Sequence, residues 1–132
     1  MSIKEVTING NSYHIGQASA KMQKTLLTLA GPVCAMNATT ADVPEIDVPF
    51  LKGVLIGIGE DKLDKITNIV FSKTFKSGED RQLDIGDFQG RMSEYLELVA
   101  HGIKANLQDF FTYLDEDRAA ARRPVNIKKN SA

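Results

Sequence analysis

Cysteine is almost absent from this 132-residue sequence, and long apolar runs are absent altogether. The one cysteine, Cys34, excludes an intramolecular disulfide and is typical of a protein from a reducing compartment. No apolar run approaches the roughly 18 residues that span a bilayer. The opening residues MSIKEVTING lack the apolar core of a secretory signal. We therefore expect a soluble protein of the cytoplasm with no membrane partner.

Residues with obvious catalytic or metal-binding chemistry are equally scarce. The two histidines, His14 and His101, cannot form a usual zinc site with a single cysteine. Gly57-Ile58-Gly59 is half of a dinucleotide-binding fingerprint and lacks its third glycine. The acids between residues 42 and 47 lack the central glycine of an EF-hand loop. No neighbouring group marks Cys34 as an activated thiolate. We predict no catalytic residue, no metal, no cofactor and no enzyme.

The formal net charge of −1 hides an asymmetry. The first 117 residues hold all 17 acidic residues but only 11 of the 16 basic ones, a balance of −6. The remaining basic residues are Arg118, Arg122, Arg123, Lys128 and Lys129. Such a tail either contacts nucleic acid or an acidic partner, or is simply solvated. We expect one domain over residues 1–117 and a disordered basic tail over residues 118–132.

Two β-hairpins are predicted. Apolar and polar residues alternate on both sides of Asn9-Gly10, a dipeptide that favours the positive φ values of a tight hairpin turn. A second, shorter hairpin is predicted around Ser77-Gly78, between Phe75 and Leu83. An isolated hairpin is marginal in water, so each needs helices to pack against.

Helical periodicity fills most of the remaining sequence. In the first helix Ser19 is the candidate N-cap, Met22 is the first inward residue, and Gly31-Pro32 marks an end or a kink. Asp87 is the candidate N-cap of the longest helix. Helices are predicted at residues 17–31, 60–73 and 88–117, a short apolar helix or a buried turn at 50–59, and a loop at 35–49. The fold class is therefore α+β, with two short hairpins packed on three to four helices that include a long C-terminal one.

The long helix carries an apolar seam with an amide inside it. The seam consists of Met92, Leu96, Val99, Ile103, Asn106, Phe110 and Tyr113. A second strip adds Leu107, Phe111 and Leu114. Buried amides are usually hydrogen-bonded, so Asn106 is expected to tie the helix to an exposed backbone edge. Phe110 and Phe111 point about 100° apart on a helix. One of them is therefore available to a partner, and we favour Phe111.

Two longer stretches match a known arrangement of elements. Residues 6–20, VTINGNSYHIGQASA, form a hairpin of the TINGxxYxIG type that runs into a helix. Residues 81–111, RQLDIGDFQGRMSEYLELVAHGIKANLQDFF, contain an extended segment, an acidic helix start and an aliphatic helix ending in Asn-Leu-x-x-Phe-Phe. Their order and spacing resemble the tail assembly chaperones of long-tailed bacteriophages, over residues 1 to about 114.

The resemblance implies a function and partners. Such chaperones bind the long, helix-rich tape measure protein, keep it soluble and help to recruit tail tube subunits, and they are absent from the finished particle. The expected partner-binding residues are Leu107, Phe110, Phe111 and Leu114, with Asn106 as a structural amide. Many such chaperones also exist in a longer, frameshifted form, and Lys128-Lys129 is the expected frameshift position. Self-association remains open.

Two alternative functions remain open at this stage. The same size and α+β content would suit a tail terminator or connector ring protein. The basic tail would suit a small nucleic-acid-associated regulator, although the acidic body and the paucity of basic residues on the long helix argue against nucleic acid as a partner.

Overall fold

The structure, a computed structural model, describes residues 3–40 and 46–122. A three-stranded antiparallel sheet has the order β1–β2–β3, with β1 at Ile3–Ile8, β2 at Asn11–Gly16 and β3 at Thr74–Lys76. The helices are α1 (Ala20–Thr40), α2 (Val48–Leu55), α3 (Glu60–Phe71) and α4 (Met92–Arg122), with a 3₁₀ turn at Ile85–Phe88 before α4. The α+β class and the long C-terminal helix are confirmed.

The first hairpin is confirmed, and the pairing of its strands explains the two faces of the sheet. Asn9 and Gly10 take positive φ values of 52° and 85°, as a tight hairpin turn requires. Val6 pairs with Tyr13 and Lys4 with Ile15, which places these side chains on the face that covers the core. Ile3 lies on the opposite face and is 67% exposed. Within the described residues, no strand pairs with the outer edge of β1.

The prediction of a second hairpin is wrong. Its first half, β3, is present, but it pairs antiparallel with β2, with Phe75 opposite His14. The open edge of β2 accepts this strand, and the N–H of Ser77 donates to the Ser12 carbonyl at 2.9 Å. Residues 79–84 then form no strand, and Leu83 is buried in the core instead.

The helix boundaries differ from the predicted ones in several places: α2 starts and ends earlier than predicted, α4 ends later, at Arg122, and the largest differences are at the end of α1 and the start of α4. α1 does not end at Gly31-Pro32 but continues to Thr40, so part of the predicted loop is helical. Asp87 does not cap α4. Asp84 caps the 3₁₀ turn, and the Asp87 carboxylate accepts the Asp84 N–H at 2.9 Å to complete a capping box. Gly90, with φ of 77°, then reverses the chain before α4 begins.

The core lies between the sheet and the helices, and α4 is its centre. The most deeply buried residues of α4 are Glu94, Leu98, Val99, Ala100 and Ile103. Met92 is 48% exposed, so the predicted seam is wrong in its first turn. Met22 in α1 is likewise exposed, and Leu26, Ala30 and Cys34 face the core instead.

Candidate partner-binding site

A groove between α1 and α4 is the site nearest to the predicted partner-binding residues. It encloses about 340 Å³. Its α1 wall, with the connector before it, consists of Gln17, Ala20, Gln23, Lys24 and Leu27. Its α4 wall consists of Asn106, Leu107, Asp109 and Phe110. We call this surface the α1–α4 groove.

The helical repeat explains why these residues line one surface. On α1, residues 20, 23, 24 and 27 recur at spacings of three and four, which places them on one face of the helix. Leu107 and Phe110 are similarly one turn apart on α4. We call its four apolar residues the floor (Ala20, Leu27, Leu107 and Phe110) and its two exposed charged residues the rim (Lys24 and Asp109), and Gln17, Gln23 and Asn106 add polar groups.

Asn106 closes one end of the α1–α4 groove. Its side-chain carbonyl oxygen accepts the backbone N–H of Ala18 at 2.8 Å and the amide of Gln23 at 3.1 Å. Its own amide nitrogen donates to the Gly102 carbonyl at 2.8 Å. Asn106 is buried, and its bond from Ala18 fastens α4 to the connector between β2 and α1, while its bond from Gln23 fastens α4 to α1 itself. The adjacent Gln17 donates from its side chain to the Ala105 carbonyl at 3.2 Å.

The four predicted partner-binding residues differ in their surroundings. Phe110 is 44% exposed and forms the accessible edge of the groove floor. Leu107 is buried and supports that floor. The side chains of Phe111 and Leu114 lie outside the described part of the structure, as do Lys128 and Lys129. The preference for Phe111 over Phe110 therefore stays a prediction.

The sequence analysis missed a buried polar cluster around Glu94. The Glu94 carboxylate, 2% exposed, accepts from the Tyr13 hydroxyl at 2.5 Å, from the Asn11 amide at 3.1 Å and from the Arg91 guanidinium at 3.1 Å. Burial, followed by the Glu94 carboxylate, raises the pKa of Tyr13 to about 12. Arg91 also lies over the Phe88 ring, 5.3 Å from its centroid. The sequence signal that could have revealed this cluster is an acidic residue, Glu94, directly before Tyr95, whose side chain is buried.

Burial shifts the pKa values of Cys34 and His101. Burial raises the pKa of the Cys34 thiol to about 12, so the thiol stays protonated at neutral pH. Burial also lowers the pKa of His101, although the nearby Glu97 carboxylate, 3.9 Å away, acts in the opposite direction. Across residues 3–40 and 46–122, no group of three or more potential ligand side chains could hold a metal ion.

Comparison with protein families identifies the chain. The sequence model of a family described as phage tail assembly chaperone protein, TAC, matches residues 9–118. The chain belongs to this family. The match takes in the hairpin turn, β2 and β3, the first three helices and most of α4, and it includes both walls of the α1–α4 groove.

Other comparisons add nothing to the assignment of this tail assembly chaperone. No curated protein and no solved structure matches the chain. In the part of the chaperone that the structure describes, no helix has both the length and the apolar character needed to cross a membrane.

Proposed function

We propose that this chaperone binds the tape measure protein, keeps it soluble and helps to recruit tail tube subunits during tail assembly. Membership of the tail assembly chaperone family is the observation that carries the proposal. The work is done in the host cytoplasm, and the chaperone leaves before the particle is complete.

The physical need for such a protein follows from the nature of its client. A tape measure protein is an extended, helix-rich chain with apolar stripes and no compact core of its own. Large exposed apolar surfaces aggregate unless another surface covers them. A groove between two helices is a common receptor for the apolar face of a third helix.

The α1–α4 groove has the properties that this task requires. Its floor is apolar, its edge residue Phe110 is accessible, and its walls are set by the hydrogen bonds of Asn106. A cavity of about 340 Å³ covers only a short piece of a helix. Many copies along one client would therefore act together through repeated weak contacts. The −6 balance of the first 117 residues would keep such a coated client in solution.

The test is co-expression of the tagged chaperone with the tape measure protein from the same phage, followed by capture and measurement of the soluble client. We expect the client to be insoluble alone and soluble with the chaperone. Phe110→Ser should weaken capture by roughly fivefold or more, as loss of a central apolar anchor does. Ile56→Ser is the matched control, because Ile56 is exposed and does not line the groove.

Melting temperatures of both variants establish that each remains folded. Equal capture by Phe110→Ser and Ile56→Ser would reject the groove as the client site. A client that stays insoluble with the wild-type chaperone, or capture of tube subunits alone, would reject the proposed function.

A further inference from the structure

The α1–α4 groove carries one charge of each sign on its rim. Lys24 stands on the α1 wall and Asp109 on the α4 wall, and both side chains are exposed. Among the residues that the structure describes, neither takes part in an ion pair. The two charges are therefore available to a helix that lies between them.

Polar side chains at one end of the groove already form hydrogen bonds inside the protein. The carbonyl oxygen of Asn106 already accepts from Ala18 and Gln23, and the Gln17 amide donates to Ala105. Polar groups satisfied inside the protein gain little from a partner. We therefore expect the floor to supply apolar contact and the charges on the rim to distinguish one apolar helix from another.

The size of the groove limits what enters it. A cavity of about 150 Å³ holds one benzene-sized group. The groove, at about 340 Å³, therefore holds about two large apolar side chains. Two such side chains come from one helix when they are three or four residues apart.

Resting on the proposed function, we propose that the groove selects an amphipathic client helix whose apolar stripe has acidic residues along one flank and basic residues along the other. The acidic flank lies beside Lys24 and the basic flank beside Asp109. Helices with two acidic or two basic flanks place a like charge against one wall, which costs binding energy at short range. Lys24 and Asp109 thus determine specificity, while Leu27, Leu107 and Phe110 supply the contact area.

The test uses three synthetic helical peptides of about 18 residues, a length at which helices become stable in water. All carry the same leucine pairs, and their flanks are acidic–basic, basic–basic or acidic–acidic. Binding is measured by fluorescence anisotropy at low salt. Wild type should prefer the mixed peptide. Lys24→Glu should shift preference toward the basic peptide, and Asp109→Lys toward the acidic one, by about twofold to fivefold each, as exposed charge pairs do.

Controls with the same net charge separate the groove from the general field of the acidic body. Lys21→Glu changes an exposed position on α1 outside the groove, and Asp61→Lys does so on α3. The double variant Lys24→Glu/Asp109→Lys should regain the preference for the mixed peptide. The differences should shrink in about 0.5 M salt, because screening acts on exposed charges.

Two results would overturn the inference, and they differ in which other conclusions remain valid. If the mixed peptide binds but Lys24→Glu behaves like Lys21→Glu, the rim charges do not select the client, and the apolar groove remains the docking site. If wild type binds none of the peptides, the groove is not a helix receptor. The proposed function is then judged separately by co-expression with the client.

Discussion

Asn106 shows how one polar residue can define both a core and a surface. Its side chain accepts one hydrogen bond from Ala18 in the connector after β2 and one from Gln23 of α1, and it donates one to Gly102 within α4, while the same residue lines the α1–α4 groove. Its place in an apolar stripe predicts a buried amide with an internal partner. The identity of that partner, the N–H of Ala18, depends on how the connector runs through space, which no local pattern contains.

Replacing Asn106 with alanine should lower the free energy of unfolding by roughly 1–3 kcal/mol, because the buried Ala18 N–H loses its acceptor. Chemical denaturation measures the change. Asn68→Ala on α3 is the matched control, since Asn68 is exposed on a helix and should cost a few tenths of a kcal/mol at most. Equal stabilities of the two variants would contradict the role of Asn106 as an internal tie.

Gly102 lets α4 approach α3 closely beside Val70. A Cβ atom at this position would lie 2.2 Å from Cγ1 of Val70. Val70 is buried and cannot move aside into solvent, so α4 approaches α3 this closely only because residue 102 has no side chain.

We expect Gly102→Ala to destabilise the chaperone by about 1–3 kcal/mol through overpacking. Gly53→Ala is the control, because nothing lies within 4 Å of its added methyl group and alanine favours a helix. The double variant Gly102→Ala/Val70→Ala should recover part of the loss. Thermal unfolding of the three variants decides the matter, and a Gly102→Ala protein as stable as Gly53→Ala would disprove the contact.

At the scale of elements, Glu94 joins parts of the chain that are far apart in sequence. Its carboxylate bonds Asn11 and Tyr13 of β2 and Arg91 at the start of α4. Arg91 also donates to the backbone carbonyl of Asp87 in the 3₁₀ turn. The hairpin, the turn and the long helix therefore share one buried charge.

Glu94→Gln should loosen these elements together, because the uncharged amide pairs less well with Arg91 and presents an N–H₂ group to donors. Backbone amides of the hairpin that are protected in wild type should exchange with deuterium at least about tenfold faster, as a loss of some 1.4 kcal/mol implies. Glu97→Gln, three residues along the same helix at a half-exposed position, is the control. Similar exchange in both variants would refute the linkage.

The elements themselves were largely predictable, and the errors have specific causes. Asn9-Gly10 and the flanking alternation are local signals, so the hairpin is correct. The strand that pairs with β3 is β2, which is distant in the sequence. The local turn signal Ser77-Gly78 gives no information about this pairing. Asp84 and Asp87 are both of a residue type that caps helices. In the structure they form the capping box of the 3₁₀ turn, and α4 begins only after Gly90 with its positive φ.

At the scale of the whole molecule, the α+β class and the family could be predicted, but the groove could not. Its walls come from residues 17–27 and 106–110, which are about 80 positions apart in the sequence. Periodicity indicates which face of each helix is apolar. It does not indicate that the two helices leave a gap between them at Leu27 and Phe110.

The outer edge of β1 has a consequence for how the sheet meets other extended chains. An edge strand is a template to which another extended chain can add. Lys4 and Glu5 place opposite charges along this edge, and both are exposed. Charged residues are the usual protection of such an edge. The exposed charges of Lys4 and Glu5 should therefore hinder the addition of another extended chain to this edge of the sheet.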